Sequence, residues 1–273
     1  MIPFFRRIRK KMADENKPIK YMRYAVGEIV LVVIGILIAL QVNNWNEDRI
    51  EQNRIKKYAK SLIKDLQNDI EMMEVSRNQA EISFKSIDSL RRYVNETETE
   101  KLSNSVLFVL TRDIMYRPYK WNRSTLDELK SSGGLRFISN DSLAKKIVAY
   151  ETFSRHLDED YNADNVNAEK ANDLIVKILN LRSDYVVKIS EMESTNLTSP
   201  FGQVFQTKVF KESITHDLKL NTYEPSELSH FVNRFIVIQA NYRIRAFAEM
   251  PDIIKDAEEL IDLLGKEYLP VNQ

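Results

Sequence analysis

The sequence predicts an all-α protein: one transmembrane helix continuing into the first long helix of an elongated antiparallel bundle, about four long helices with a short helical insert. Three observations predict it. Only six glycines and seven prolines occur in 273 residues, so little interrupts a helix. Apolar residues recur at three- and four-residue steps through most of the chain. A single apolar run, Tyr24 to Val42, follows a strongly basic leader.

Residues 1–23 form that leader, with eight Lys/Arg against Asp14 and Glu15, a net charge of +6. Met1, Phe4, Phe5, Ile8 and Met12 alternate with Arg6, Arg7, Arg9 and Lys10, which describes a basic amphipathic helix on an anionic cytoplasmic leaflet. A disordered positive tag that only sets topology fits the same residues. Residues 24–44 are the span. Every residue from Ile29 to Leu40 is apolar or glycine, and a helix over Tyr24 to Val42 measures roughly 28 Å, close to the ~30 Å of a hydrocarbon core. No A-x-A site lies between Leu40 and Trp45, so the run reads as an uncleaved anchor, not a signal peptide. The basic leader places the amino end in the cytoplasm and the bulk of the chain in the periplasm.

Removing the leader leaves 32 Lys/Arg against 38 Asp/Glu, a net −6, and an acidic domain on that side of a membrane excludes nucleic acid as a partner. The absence of cysteine removes disulfides, thiolate nucleophiles, zinc-thiolate sites and iron–sulfur clusters together.

Residues 45–100 are expected to form the stalk and first bundle helix, to about Tyr93. Trp45 anchors it at the interface beside Asn43, Asn44 and Asn46. The stripe runs through Ile55, Tyr58, Leu62, Leu66, Ile70, Met73, Ala80, Phe84, Ile87, Leu90 and Val94, with one position skipped at Arg77. Residues 101–273 hold the remainder of the bundle. Ser103 or Ser105 caps a second helix that Pro118 closes. Ser124 opens a short helix with Asp127 as a variant capping box, and Gly133-Gly134 stops it. Ser139 or Asn140 caps a long helix from about Asp141 to Arg182, with a kink or break expected between Asp158 and Lys170, where large apolar residues are few. Residues 183–204 lack pattern. A helix follows from about Val204 to Leu218, and another starts at Pro225, to be kinked or restarted at Pro251.

Several residues invite a functional reading. Glu28, inside the cytoplasmic end of the span, suits a proton carrier or the partner of a neighbouring cation, although pairing with Arg23 or Tyr24 also satisfies it. Gly27, Gly35 and Ala39 give the span a small-residue face for contact with another membrane helix. His156, Asp160 and Asp164 follow at i, i+4 and i+8, which lines an imidazole and two carboxylates along one face as weak candidates for a metal. A solvated charged face explains them as well. Tyr116, Tyr119 and Trp121 form an aromatic elbow which, with Gly133 and Gly134, suits a pocket or a partner surface, or simply packs the insert on the bundle. No Walker loop, dinucleotide glycine pattern, G-x-S-x-G or H-E-x-x-H occurs, and no cofactor is called for.

The segments FFRRIRKK, KYMRYAVGEIVLVVIGILIALQVNNWNE and TLDELKSSGGLRFISNDSLAKKIVAYE resemble a family of uncharacterised membrane proteins of Gram-negative bacteria. The resemblance is close in the first 50 residues and looser from 120 to 150. Its signature, GEI(x)LVVIGILIALQ(x)NNWNE, stands here at Gly27 to Glu47. The resemblance implies one span at the inner membrane, a helical periplasmic domain and no assigned activity.

These readings lead to an envelope protein that is not an enzyme. It contacts lipid through leader and span, and it engages a copy of itself or another envelope membrane protein. The alternative is a periplasmic ligand-sensing bundle, which would signal through a separate partner because a 23-residue cytoplasmic leader holds no output domain. An envelope enzyme with an unfamiliar site stands third.

Overall fold

The computed structural model of the chain describes residues 18–112, 114, 119–191 and 201–270. Residues 1–17 of the leader, with the whole of its amphipathic pattern from Met1 to Met12, lie outside the described residues, as do Tyr116 and Pro118. Among the described residues the fold is helical with no strand, the all-α bundle that the low glycine and proline content leads one to expect. The chain divides into two compact units, residues 1–57 and 58–273, and helix α1 (Pro18–Glu96) contributes to both.

In the first unit the helix is apolar on all sides from Ile29 to Leu40. Every large apolar side chain from Ile29 to Val42 is between 47% and 66% exposed. An 18-residue window reaches a mean hydropathy of 2.6 with none of it buried, and this is the one helix among the described residues long and apolar enough to cross a membrane.

In the second unit, α1 buries a seam at Ala59, Leu62, Leu66, Asp69, Met73, Ser76, Ala80, Ser83, Ile87 and Leu90, stepping by three and four without a break. The apolar pattern skips a place near Arg77 because polar residues hold three of those positions. Tyr58, Ile70 and Phe84 flank the seam, half-buried. Small polar side chains let other segments approach closely; the Ser86 hydroxyl donates to the Leu110 carbonyl at 2.6 Å. Leu110 belongs to α2 (Asn104–Arg112), which Ser103 caps by accepting from the Val106 N–H at 3.1 Å.

Helix α3 (Ser124–Ser131) starts one residue earlier than a Ser124 cap requires. The Ser124 hydroxyl donates to Asn122 at 2.9 Å, while the Asp127 N–H is taken by the Arg123 carbonyl. Gly133 follows at φ 70°, the left-handed conformation that ends a helix, and at Gly134 a Cβ would lie 2.7 Å from Leu129 Cδ1. Asn140 then caps α4 (Asp141–Ile178), accepting from Ser142 and Leu143.

Helix α4 is unbroken through Asp158–Lys170, where a kink or break is expected from the sequence; its polar residues there find cationic and amide partners in other elements, and no break occurs. It ends before the expected Arg182. The Asn221 N–H donates to the Ile178 carbonyl at 2.9 Å and its side chain to Leu179 at 2.8 Å, while Asn104 bonds the Asn180 backbone on both sides. These asparagines take the carbonyls that another helical turn would use. Helix α5 (Asp184–Glu191) lies in the stretch without pattern, two turns being too short to show a period. The helix expected over Val204–Leu218 is shorter. Thr207 accepts from the Phe210 N–H at 3.2 Å and so caps α6 (Lys208–Thr215), leaving a 3₁₀ turn over Phe201–Gln206 before it.

Helix α7 (Pro225–Ile244), a π-turn (Arg245–Glu249) and α8 (Met250–Tyr268) run on without a break. The Met250 N–H bonds the Arg245 carbonyl, five residues back. Pro251 has no N–H to return to Phe247, and the turn before it widens to i→i+5 bonding. Both α7 and α8 pack on α4. Phe231 and Phe235, 0% and 1% exposed, meet edge to face at 5.0 Å in that core.

Candidate functional site

Asp69 is the anomaly in the seam: a carboxylic acid 3% exposed where the repeat asks for an apolar residue. It holds down the strap of chain after α2. The Tyr119 hydroxyl donates to Oδ1, the Asn122 N–H donates to the same oxygen at 3.3 Å, and the Tyr150 hydroxyl of α4 reaches Oδ2 at 3.5 Å. One turn earlier Asp65 accepts from the Asn122 amide at 2.8 Å and from the Thr125 hydroxyl at 2.5 Å. Two acids on one face of α1 thus staple residues 119–125. Burial pushes the Asp69 carboxyl above the ordinary aspartate range, against the opposing hydrogen bonds from Tyr119 and Asn122. Burial, with Asp69 beside them, also pushes the Tyr119 and Tyr150 phenols up, so both stay protonated donors.

Above this network the strap carries an aromatic cluster. Tyr119 and Trp121 meet edge on at 5.0 Å, Trp121 and Tyr150 at 6.3 Å, and the Arg123 guanidinium lies 5.9 Å from the Trp121 ring centre. Arg123 is fixed to α4 by Asp158 at 2.6 Å and Ser154 at 3.1 Å. Between strap and α4 opens a cleft of about 280 Å³, walled by Tyr119, Lys120, Trp121 and Arg123 on one side and by Asp158, Tyr161, Asn162 and Asn165 on the other. Ring edges, two amides and the Lys120 ammonium, which has no ion-pair partner among the described residues, suit a small molecule bearing hydroxyls or a carboxylate.

Tyr161 links this cleft to a second polar cluster, since the Arg245 guanidinium sits 5.2 Å from the centre of its ring. Arg245, 4% exposed, is the first residue of the π-turn. It donates to Asp160 at 3.0 Å, to Asp164 at 3.3 Å and to Glu249, while Asn241 donates to Asp164 at 2.7 Å. Two of the residues that line up as weak metal candidates therefore share an internal cation. His156 stands 57% exposed with Nε2 3.4 Å from Asp160. His156, Asp160 and Glu249 do offer ligand atoms within 4.8 Å of one another, without Asp164, but the same Arg245 nitrogen already bonds both carboxylates.

Of the elbow, Tyr119 and Trp121 line the cleft, Tyr116 lies outside the described residues, and Gly133 and Gly134 make the α3 turn without reaching the cleft. On the apolar part of α1, Gly27 and Gly35 have open space where a Cβ would stand and Ala39 is exposed; Glu28 is partly shielded. Trp45 is 65% exposed, with the Arg49 guanidinium 5.8 Å from its ring centre. Sequence reasoning missed Asp65, Asp69, Arg123 and Arg245. The signal for Asp69 was present: a charge standing in phase with Leu62, Leu66 and Met73.

Fold and site define a class: a helical bundle whose first helix carries a span-length apolar segment and whose buried acids hold an aromatic strap. The model of a family of unknown function, DUF6090, matches residues 28–174, more than half the chain, and the protein belongs to that family. No curated protein and no solved structure matches the chain. The matched stretch contains the apolar segment from Glu28 onward, Asp65, Asp69 and all the cleft residues, and ends before α7.

Proposed function

We propose that the protein is a single-span component of the inner membrane, amino end in the cytoplasm, whose helical unit acts in the periplasm as a protein-interaction module of the envelope. The observation that carries this reading is the apolar segment exposed around its whole circumference, a surface that lipid solvates and water does not. The basic leader before it supports the orientation. Topology has a clean test, because the chain has no cysteine to interfere. A cysteine introduced at Ser131 is expected to react with an impermeant maleimide from the periplasmic side, and one at Met12 is not; the reverse pattern would overturn the orientation. Crosslinking of the full-length protein in its own cells, followed by mass spectrometry, tests the interaction. A defined envelope protein is expected, and a chain that crosslinks to nothing would sink the reading.

The cleft favours a second reading, a ligand-sensing bundle that signals through a partner. A panel of amino acids and monosaccharides tested on the full-length protein checks it. A compound present at a hundred times its Kd adds about 2.7 kcal/mol to the stability of the folded protein.

A further inference from the structure

The outward face of α7 does not match the rest of the bundle. Its inward face, Leu228, Phe231, Phe235, Ile238 and Tyr242, is buried. On the opposite side Ile236, Val237, Ala240, Ile244, Phe247 and Ala248 form a continuous exposed stripe, with Val237, Ile244 and Phe247 at 58%, 49% and 53% exposure. The next helix has the ordinary arrangement: the exposed face of α8 carries Asp252, Lys255, Asp256, Glu258, Glu259 and Asp262. A helix apolar on both faces is one that is covered on both faces. The Phe247 ring meets Phe84 of α1 edge on at 5.7 Å, so the stripe adjoins α1.

Charge says what covers it. Helical geometry puts Arg243 at one edge of the stripe and Arg234 at the other, and neither has an ion-pair partner among the described residues. The nearest acid along the helix, Glu249, is committed to Arg245, and Glu227 pairs with Lys177 at 2.8 Å. A second copy packed antiparallel about Ala240 would set Arg243 against Val237 and Arg234 against Ala246; a parallel copy would set arginine against arginine. Neither supplies a carboxylate. An anionic lipid surface is disfavoured by the unit as a whole, since residues 58–273 carry 28 Lys/Arg against 34 Asp/Glu. The stripe exposes roughly 400 Å² of apolar surface, in the range where a protein's largest patch is often functional and about half of what one partner buries in a standard interface. That footprint suits a single helix.

We propose that the face of α7 between Arg234 and Ala248 is the docking surface for an amphipathic helix of another protein, with apolar residues on its contact face and acidic residues at its margins. This rests on the interaction reading and names the surface and the partner chemistry. Two measurements on the full-length protein test it. In detergent, a synthetic amphipathic helical peptide with a leucine face and glutamate margins is expected to bind at least about tenfold more tightly than the same peptide with lysine margins. The double substitution R234E/R243E is expected to invert that order. Equal binding of the two peptides, or an order that survives the double substitution, overturns the proposal. In cells, a photo-crosslinking residue at Val237 or Ile244 is expected to trap one protein through an acidic amphipathic segment, R243E is expected to abolish the adduct, and the same probe at Glu258 is expected to trap nothing. Adducts only to lipid, or only to a second copy of the chain, overturn it. If crosslinking of the whole protein finds a partner while Val237 and Ile244 trap none, the docking surface is wrong and the interaction role stands. If no partner is found by either route, both fall.

Discussion

At the scale of single residues, two buried acids respond to pH in opposite directions. The Asp69 carboxyl is raised above its ordinary value of 3.8 by burial, so the folded state holds its proton longer than the unfolded chain does. Its contribution is complete below the unfolded value and is lost as pH rises through the raised one. Glu151, 3% exposed, is pushed up by burial, but Lys130 at 2.5 Å and Arg155 at 2.8 Å hold it below the ordinary glutamate range. Its contribution is present above the unfolded value and lost as pH falls through the lowered one. Asp69→Asn, which keeps an acceptor without a titrating charge, should therefore flatten the decline in urea stability on the way from about pH 4 to neutrality. An unchanged profile would show that Asp69 titrates normally. Arg245 carries a larger stake. Arg245→Ala leaves Asp160, Asp164 and Glu249 together without their cation and should cost about 3–5 kcal/mol in denaturant unfolding, with Arg245→Lys intermediate.

At the scale of elements, the turn after α3 is set by two glycines for different reasons. Gly133 is needed for its positive φ and Gly134 for the closeness of Leu129. Gly133→Ala should cost about 1 kcal/mol through backbone strain, and Gly134→Ala about 1–3 kcal/mol through overpacking. Gly133→Asn, which tolerates a positive φ, should cost less than Gly133→Ala in thermal unfolding, and an equal cost would contradict the backbone account. Sequence made these elements legible where a local rule sets them: the Gly133 stop, the Asn140 cap, Pro225 at a helix start and the seam of α1. It failed where distant groups decide. The end of α4 depends on Asn104 and Asn221, and its continuity across Asp158–Lys170 depends on Arg123, Asn241 and Arg245, none of which a local pattern joins to it. Two of the residues that line the candidate cleft, Tyr119 and Trp121, were visible as an aromatic elbow; Tyr161, Asn162 and Asn165 were not, since helix residues become a wall only once the strap crosses them.

At the scale of the whole molecule, the two units present different surfaces. In the first, α1 is apolar around its circumference from Ile29 to Leu40; the second, the α7 stripe apart, turns charged and polar residues outward and buries most of its large apolar ones. Replacing Ile34 and Leu37, both about half exposed near the middle of the apolar run, with arginine should cost about 2.5–3.5 kcal/mol each on insertion. The double variant should leave the membrane fraction on carbonate extraction while the bundle keeps its helical circular dichroism. A variant still retained in the membrane would mean that something other than the helix holds the protein there.

The π-turn at Arg245–Glu249 has a consequence for the numbering of everything beyond it. It stores one residue more than a regular helix needs, and each residue turns a helix by about 100°. Deleting Ala248 would give an ordinary α-helix locally, yet would rotate Arg245 and the α7 core relative to Met250, Ile253, Ala257 and Leu260, all buried against the bundle. The extra residue works as a phase shifter, letting one continuous rod present two separately aligned faces to α4. A single-residue deletion there should be more damaging than a substitution to alanine at any exposed position of α8.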